Sequence, residues 1–389
     1  MHPKLIDSVL RNIESTVLYN YSSDEQYELD EDALGFLSYC TGRNTIEEVY
    51  RKSHVDIGAG TRLIDYLSSE GCLGDVEEPY APERYIVRRA VRPSLRYLQL
   101  HITEKCNLNC AHCYLGEKNH SDMKLSTIAR ILEEFSHYGF KVLITGGEPL
   151  LHKNFWDVLK LASDLPMRVE VLTNGTLVTP EVALGLSKYA DQVQISLDGM
   201  REGHEAIRGN GTFEATVEGM TNASEFMPVS CATMIHSKNL REFDSMESML
   251  EDMGVCEWLL DIPSNAGNMT RHGELSLPYE DAVEIFRKHG YSTGVHMGDG
   301  SLSCGSHICS IRPNGNVSKC GFFNDSVGNV EDKSLEECWL KVVDEYIPPL
   351  KELNCRECSV LEKCRGGCRF RAASEDFYGK DPFMCSLYL

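Results

Sequence analysis

Strand-like runs alternating with helix-like stretches between residues 95 and 289 constrain this chain more than any other feature. The strand-like runs fall at 95–102, 141–145, 168–172, 192–197, 229–235 and 257–261. Helix-like stretches at 125–138, 154–164, 180–189, 212–225, 240–252 and 279–289 stand between and after them. Six such alternations predict a parallel sheet with helices on its outside. They are too few to close an eight-stranded barrel. The expected fold class is therefore α/β, an open, partial (β/α)6 barrel with ligand-binding groups at the carboxyl ends of its strands.

Those ends carry the residues with chemical potential. Cys106, Cys110 and Cys113 lie within eight residues directly after the first strand. Three thiolates on one tight loop hold three corners of a metal centre and leave the fourth free. A closed structural zinc site or a four-cysteine iron–sulfur site needs one ligand more, and His112 is the one local candidate. Gly146-Gly147-Glu148-Pro149 follows the second strand, Asn174-Gly175 the third and Ser196-Leu197-Asp198-Gly199 the fourth, with Arg208 shortly after. Singly, each is an ordinary turn. Together they form one rim beside an open metal corner.

The Cys-x3-Cys-x2-Cys-Tyr loop followed by Gly-Gly-Glu-Pro, in this strand–helix order, resembles the radical S-adenosylmethionine (SAM) enzymes over roughly residues 95–300. The resemblance implies a [4Fe-4S] cluster on Cys106, Cys110 and Cys113, with SAM chelating the open iron. It implies that Gly147 and Glu148 receive the SAM ammonium, that Ser196 and Arg208 contact its carboxylate, and that Tyr114 lies near the adenine. One electron then cleaves SAM to methionine and a 5′-deoxyadenosyl radical, which abstracts a substrate hydrogen. The cofactor carries the hard step, and the protein positions substrate and excludes water.

Nine of the chain's 16 cysteines lie after residue 300. Cys304, Gly315-x4-Cys320, Cys355-x2-Cys358-x5-Cys364-x3-Cys368 and Cys385 together resemble the SPASM extension of radical SAM maturases, which holds two auxiliary [4Fe-4S] clusters. Cys309 provides an eighth thiol, at a position some members use. By that pattern Cys304, Cys309, Cys320 and Cys368 hold an inner cluster, and Cys355, Cys358, Cys364 and Cys385 an outer one. Three clusters are thus expected in all. Eight thiolates complete two four-cysteine sites, so these clusters read as electron carriers rather than sites that bind substrate sulfur. Cys338, Cys40, Cys72, Cys231 and Cys256 read as buried small hydrophobes.

Ahead of the barrel, residues 17–21 and 26–29 read as two short strands. Asp30 and Thr45 read as N-caps of helices through Leu37 and Lys52, and residues 61–67 as a third helix. This is a winged-helix-like pattern. The run from Tyr27-Glu28-Leu29-Asp30 to Leu37, followed by Cys40-Thr41-Gly42 through Val49, resembles the RiPP recognition element of the PQQ peptide chaperone. In that family a leader peptide adds as an extra strand to the hairpin edge. The expected domains are 1–85 for peptide recognition, 86–94 as linker, 95–300 as radical SAM barrel and 301–389 as auxiliary-cluster domain.

The balance of charge excludes some partners. Lys plus Arg is 38 against 59 for Asp plus Glu, a formal net charge of −21. So acidic a chain is a poor partner for nucleic acid or anionic membrane. No apolar run approaches the roughly 20 residues of a membrane span, and the first residues lack the charged and apolar regions of a secretory signal. The expected location is the cytoplasm, where many cysteines mean metal binding rather than disulfides.

The combined resemblance implies a maturase that forms a C–S or C–C crosslink in a ribosomally made precursor peptide. An electron donor such as ferredoxin or flavodoxin is implied with it. Modification of a small molecule or porphyrin, as in haem biosynthesis, is the alternative. Sulfatase maturation is a further one, but its members place Asp where Gly321 stands here.

Overall fold

The structure, a computed structural model, describes residues 1–76, 82–290, 302–303 and 305–389. Cys304, residues 77–81 of the expected peptide-recognition domain and residues 291–301 around the end of the expected barrel lie outside the described residues. Four strands and three helices open the chain: β1 (Pro3–Leu5), β2 (Ser8–Asn12), β3 (Thr16–Asn20), β4 (Glu25–Glu28), α1 (Glu31–Ser38), α2 (Ile46–Ser53) and α3 (Ile57–Ser69). β5 (Leu73–Asp75) pairs back on β1, and β2, β3 and β4 form an antiparallel sheet. Asp30 accepts from the Ala33 amide and Thr45 closes a capping box with Glu48, as the sequence predicts. Such caps each stabilise a helix start by about 1 kcal/mol. β1 and β2 escape a periodicity search because they are too short to show one.

The barrel strands are β6 (Tyr97–Thr103), β7 (Lys141–Gly146), β8 (Arg168–Thr173), β9 (Gln192–Ser196), β10 (Val229–Met234) and β11 (Glu257–Asp261). All five successive pairings among them are parallel. The helices α4 (Leu125–Ser136), α5 (Phe155–Ser163), α6 (Pro180–Leu186), α7 (Arg201–Arg208), α8 (Thr212–Ser224), α9 (Phe243–Asp252) and α10 (Tyr279–Lys288) return between and after the strands. α7 is not evident from the sequence, where Gly203 interrupts a short polar helix.

The sheet does not stop where the barrel was expected to end. β12 (Ile308–Ile311) adds in parallel to the outer edge of β6, and β13 (Asn316–Ser318) and β14 (Gly328–Asn329) continue it antiparallel. Among the described residues, one nine-stranded sheet thus joins the barrel to the cysteine-rich region. α11 (Leu335–Tyr346) packs over it, and α12 (Leu361–Cys364), α13 (Arg369–Ala372) and α14 (Pro382–Tyr388) follow.

Each barrel strand has two characters. Leu98, Leu100, Val142, Ile144, Val169, Val171, Val193 and Ile195 pack outward into the main apolar core against the helices. Their alternates Tyr97, Gln99, Lys141, Thr145, Glu170, Gln194 and Ser196 line an interior chamber. Fully buried parallel strands ordinarily read as continuous apolar runs. This alternation marks a barrel with a polar, open inside.

The N-terminal domain sits on the amino ends of these strands. Tyr19 stacks on Phe140 with ring centroids 4.3 Å apart, inside a small apolar cluster with Ile13 and Val17. Charged contacts surround it. Lys141 reaches Asp24 at 2.5 Å and Glu170 at 2.8 Å. Arg11 donates to the carbonyls of Ser136 and Pro166 at 2.7 and 2.8 Å. The 86–94 stretch is strapped down rather than loose: Ala90 donates to Asn12, and Arg92 to Ile13.

Glu14 is the tightest of these ties, bonded to Ser94 at 2.7 and 2.8 Å and to Arg96 at 2.5 Å. Burial opposes its charge, but the bonds from Arg96 and Ser94 outweigh that and hold its carboxyl at about 2. A depressed carboxyl stabilises the fold above its unfolded value, and the contribution is lost as pH falls through about 2. At roughly 1.4 kcal/mol per unit the shift from 4.5 corresponds to about 3 kcal/mol. Glu14→Gln should lower stability by up to that amount at pH 7 in urea denaturation. The gap to the wild type should narrow as pH falls from about 4.5 toward 2.

Candidate active site

The cysteine loop is pinned from three sides. The Ala111 amide donates to Ile207, and Asn268 donates to the carbonyls of Cys110 (3.0 Å) and Cys113 (2.9 Å). Asn174 donates to Asn107 at 2.9 Å, tying the loop to the end of β8. The Gly-Gly-Glu-Pro turn approaches from the fourth direction. A Cβ on Gly147 would stand 2.4 Å from the Lys105 carbonyl oxygen, so only glycine permits that approach.

Cys106, Cys110 and Cys113 all line the interior chamber, a cavity of about 1170 Å³. Burial pushes the Cys106 thiol up and the Cys110 thiol up to about 11. Three thiolates here need a cation to compensate them, which is the donor set an iron–sulfur cluster requires. The Leu108 amide donates to the Cys106 sulfur at 3.4 Å. His112 turns its Nε2 toward Asp198 at 3.9 Å, away from the role of fourth ligand.

Gly147, Ser196, Arg208 and Tyr114 line the same chamber, so the structure brings these four expected SAM contacts together with the cysteines. Arg208 stands at the end of α7 with its side chain largely buried, and Gly209 stops the helix there. Tyr114 lies between Gln99 and the ring of Phe322.

Glu148 is placed differently. It is fully buried, is not among the chamber residues, and its carboxylate accepts from the Thr173 hydroxyl at 2.8 Å and the Asn174 amide at 2.9 Å. Burial pushes its carboxyl up to about 7, with those hydrogen bonds opposing. Its side chain staples the end of β7 to that of β8 and does not line the chamber with the other four.

Asp198 stands in the expected rim, but the sequence gives it no role there. Its carboxylate accepts from Arg208 Nε at 2.5 Å and from the Met234 amide at 2.7 Å. Burial opposes the charge, yet the Arg208 guanidinium holds the carboxyl well below the usual range. Asp198-Gly199 reads as a loop turn, and nothing local announces a partner ten residues on.

In the C-terminal region Cys320 and Cys368 line the chamber. Cys355, Cys358, Cys364 and Cys385 form a second group, each close enough to influence another's ionisation. Cys309 stands apart from both, fully buried in the main apolar core with Cys338. The structure therefore does not place it with Cys320 and Cys368. Cys40, Cys72 and Cys231 are buried as expected, but Cys256 is exposed. Gly321 leaves no room for the sulfatase-type aspartate: a Cβ there would lie 2.9 Å from the Tyr114 ring. No helix among the described residues is long and apolar enough to cross a membrane.

The chain is similar to several known proteins. Residues 100–250 match the radical SAM superfamily. The mycofactocin maturase MftC of Mycobacterium tuberculosis is 29% identical over 303 residues, covering 69% of this chain and 76% of that protein. An AdoMet-dependent heme synthase of Methanosarcina barkeri is 26% identical over 340 residues, covering 74% of this chain and 95% of that one. Streptococcus suis SuiB, crystallised with its precursor peptide SuiA, shares the fold across 98% of this chain and 99% of its own, with a TM-score of 0.70 at 15% identity. Residues 100–250 are a radical SAM domain.

Proposed function

We propose that this enzyme matures a ribosomally made precursor peptide, forming a C–S or C–C crosslink. The observation that carries the reading is the shared chamber. One cavity is lined by the Cys106–Cys113 loop, by Cys320 and Cys368, and by Glu14, Asp24, Gln26 and Glu28 of the N-terminal domain. An extended peptide fits such a space, with its leader on one domain and its core at the radical site.

The superfamily brings a [4Fe-4S] cluster and SAM, and that pair supplies a 5′-deoxyadenosyl radical when an outside donor such as ferredoxin or flavodoxin gives one electron. Cys106, Cys110 and Cys113 would hold the cluster. The backbone of Gly147 would receive the SAM ammonium, while Arg208, steadied by Asp198, and Ser196 would receive its carboxylate. Tyr114 and Phe322 wall the chamber. The C-terminal cysteines would hold two auxiliary clusters, which would supply a route for electrons out of the site. The setting is the cytoplasm.

Leader binding belongs to the N-terminal domain, residues 1–85. Among the described residues β4 pairs with β3 alone, which leaves its other edge for an added strand. Tyr27 and Tyr66 of α3 meet edge-on beside it at 6.0 Å. Docking there raises the local concentration of the core peptide. The MftC and SuiB names point the same way. The heme synthase relative favours a second reading, porphyrin side-chain chemistry, which leaves the N-terminal domain without a task.

The test is a short peptide encoded beside this gene, incubated with reconstituted enzyme, reductant and SAM. Deoxyadenosine should form in step with a loss of mass from the peptide, and removing the leader should abolish the change. Peptide modification without deoxyadenosine would sink the proposal, as would turnover of a porphyrin in its place.

A further inference from the structure

The chamber is polar along the barrel interior, but one stretch of its wall is aromatic. Tyr114, Phe322 and Phe370 line it, close in sequence to Cys113, Cys320 and Cys368. Their rings are contiguous. The Tyr114 and Phe322 centroids lie 5.0 Å apart, and those of Phe322 and Phe370 5.5 Å apart with planes 29° from parallel. All three side chains are only half-buried, so each keeps surface to offer. Support comes from a second set of rings. Phe323, which is buried, meets Phe370 edge-on at 5.2 Å and Tyr346 at 5.1 Å, and Tyr346 meets Phe377 at 6.1 Å. Gly321, directly before Phe322, donates its amide to Gln99 at 3.0 Å. The wall is thus fixed before any ligand arrives, which lowers the cost of binding to it.

We propose that Phe322 and Phe370 form the seat for an aromatic side chain of the core peptide, so that the substrate must carry Phe, Tyr or Trp. This rests on the peptide-maturation reading above. Apolar surface facing a water-filled chamber is costly to leave wet, and the seat opens on the same chamber as the Cys106–Cys113 loop. Tyr114 is expected near the SAM adenine and is left out of the seat.

The ring geometry selects the occupant. Two neighbouring rings close to parallel present a flat face, and a flat ring covers such a face by offset stacking. Stacking adds about two- to tenfold in affinity to what area burial gives. An aliphatic side chain buries area without that gain. A cation is also drawn to an aromatic face, but Lys319 and Arg369 line the chamber beside this one and repel a second positive charge. An aromatic side chain is what remains. Leader docking is a separate task, because β4 belongs to the domain at the amino ends of the barrel strands. A peptide held at both places has its register against the radical site fixed, and the position modified follows from its spacing to the aromatic residue.

The test uses full-length protein reconstituted with iron and sulfide and saturated with SAM, so that the adenine position is filled. The probes are N-acetyl-tryptophanamide, N-acetyl-tyrosinamide and N-acetyl-leucinamide, followed by saturation-transfer nuclear magnetic resonance. Both aromatic amides should bind at least about threefold tighter than the leucine amide. Phe322→Leu and Phe370→Leu should each abolish that preference at unchanged iron content, since leucine keeps the wall apolar and removes the ring. In the peptide encoded beside this gene, replacing the core aromatic residue by leucine should raise KM by a similar factor and leave leader binding unchanged. Equal binding of all the amides to the wild type overturns the proposal, and this comparison needs no variant, so a folding failure cannot hide the answer. A preference that survives both substitutions overturns it too, as does a modified core peptide without Phe, Tyr or Trp. SAM-dependent turnover of a porphyrin, with the peptide inert, ends the maturation reading itself and the occupant named here with it, whatever the amides show.

Discussion

Cys106→Ala is expected to remove about four irons per chain and to bring deoxyadenosine formation down to the level without enzyme. The loop has three thiolates, and SAM needs the corner they leave open. Cys110 and Cys113 alone cannot hold the cluster against a site that penalises bare thiolates through burial. Secondary structure should survive, because Asn174, Asn268 and Ile207 pin the loop through its own backbone and Asn107 rather than through the Cys106 sulfur. Cys256→Ala is the control. That thiol is exposed, and its loss should leave stability within about 0.5 kcal/mol and activity unchanged. Iron analysis and a deoxyadenosine assay on the two variants check the expectation together.

Asp198→Ala should be the most costly substitution at the site outside the cysteines. It strips Arg208, whose side chain is largely buried, of its fully buried counter-charge and leaves the Met234 amide without its acceptor. Breaking a buried pair from one side costs about 3–5 kcal/mol, because the remaining charge is left uncompensated. Asp198→Asn should cost less, since its side-chain oxygen can still accept a hydrogen bond. The double variant Asp198→Leu, Arg208→Met should recover part of the loss, because both charges go. Urea denaturation measures the stability terms. SAM binding by equilibrium dialysis separates positioning from folding: Asp198→Asn should weaken it even where the fold persists. Equal costs for Asp198→Ala and the double variant would show that the pair is not what matters.

The legible parts of the chain are those whose signal is local. All six barrel strands start within two residues of the expected positions, because each is a short run bounded by turn residues. The caps at Asp30 and Thr45 were visible because the side chain bonds an amide three residues away. The polar alternation in Gln192-Val193-Gln194-Ile195-Ser196 was there to be read as well. It means an open barrel interior, since a packed parallel strand has no use for glutamines.

What escaped depends on partners distant in sequence. Glu148 stands in the expected motif, but whether its carboxylate faces SAM or Thr173 is decided where two strands end side by side. Cys309 has a ligand-like spacing, yet its register against β6 turns it into the core, and a one-residue shift would have turned it into the chamber. The clamp of Arg11, Glu14, Lys141 and Arg168 joins residues more than 70 positions apart.

The sequence alone determined the strand–helix order, the three-thiolate loop and the cysteine-rich end, because periodicity and ligand spacing are properties of neighbouring residues. The tertiary structure decided which of those groups share a chamber. Pairing register sets the face of every side chain, and burial sets which charges must find each other. By those two rules Asp198 met Arg208, the Glu148 carboxylate turned to Thr173, and the Cys309 side chain turned into the core.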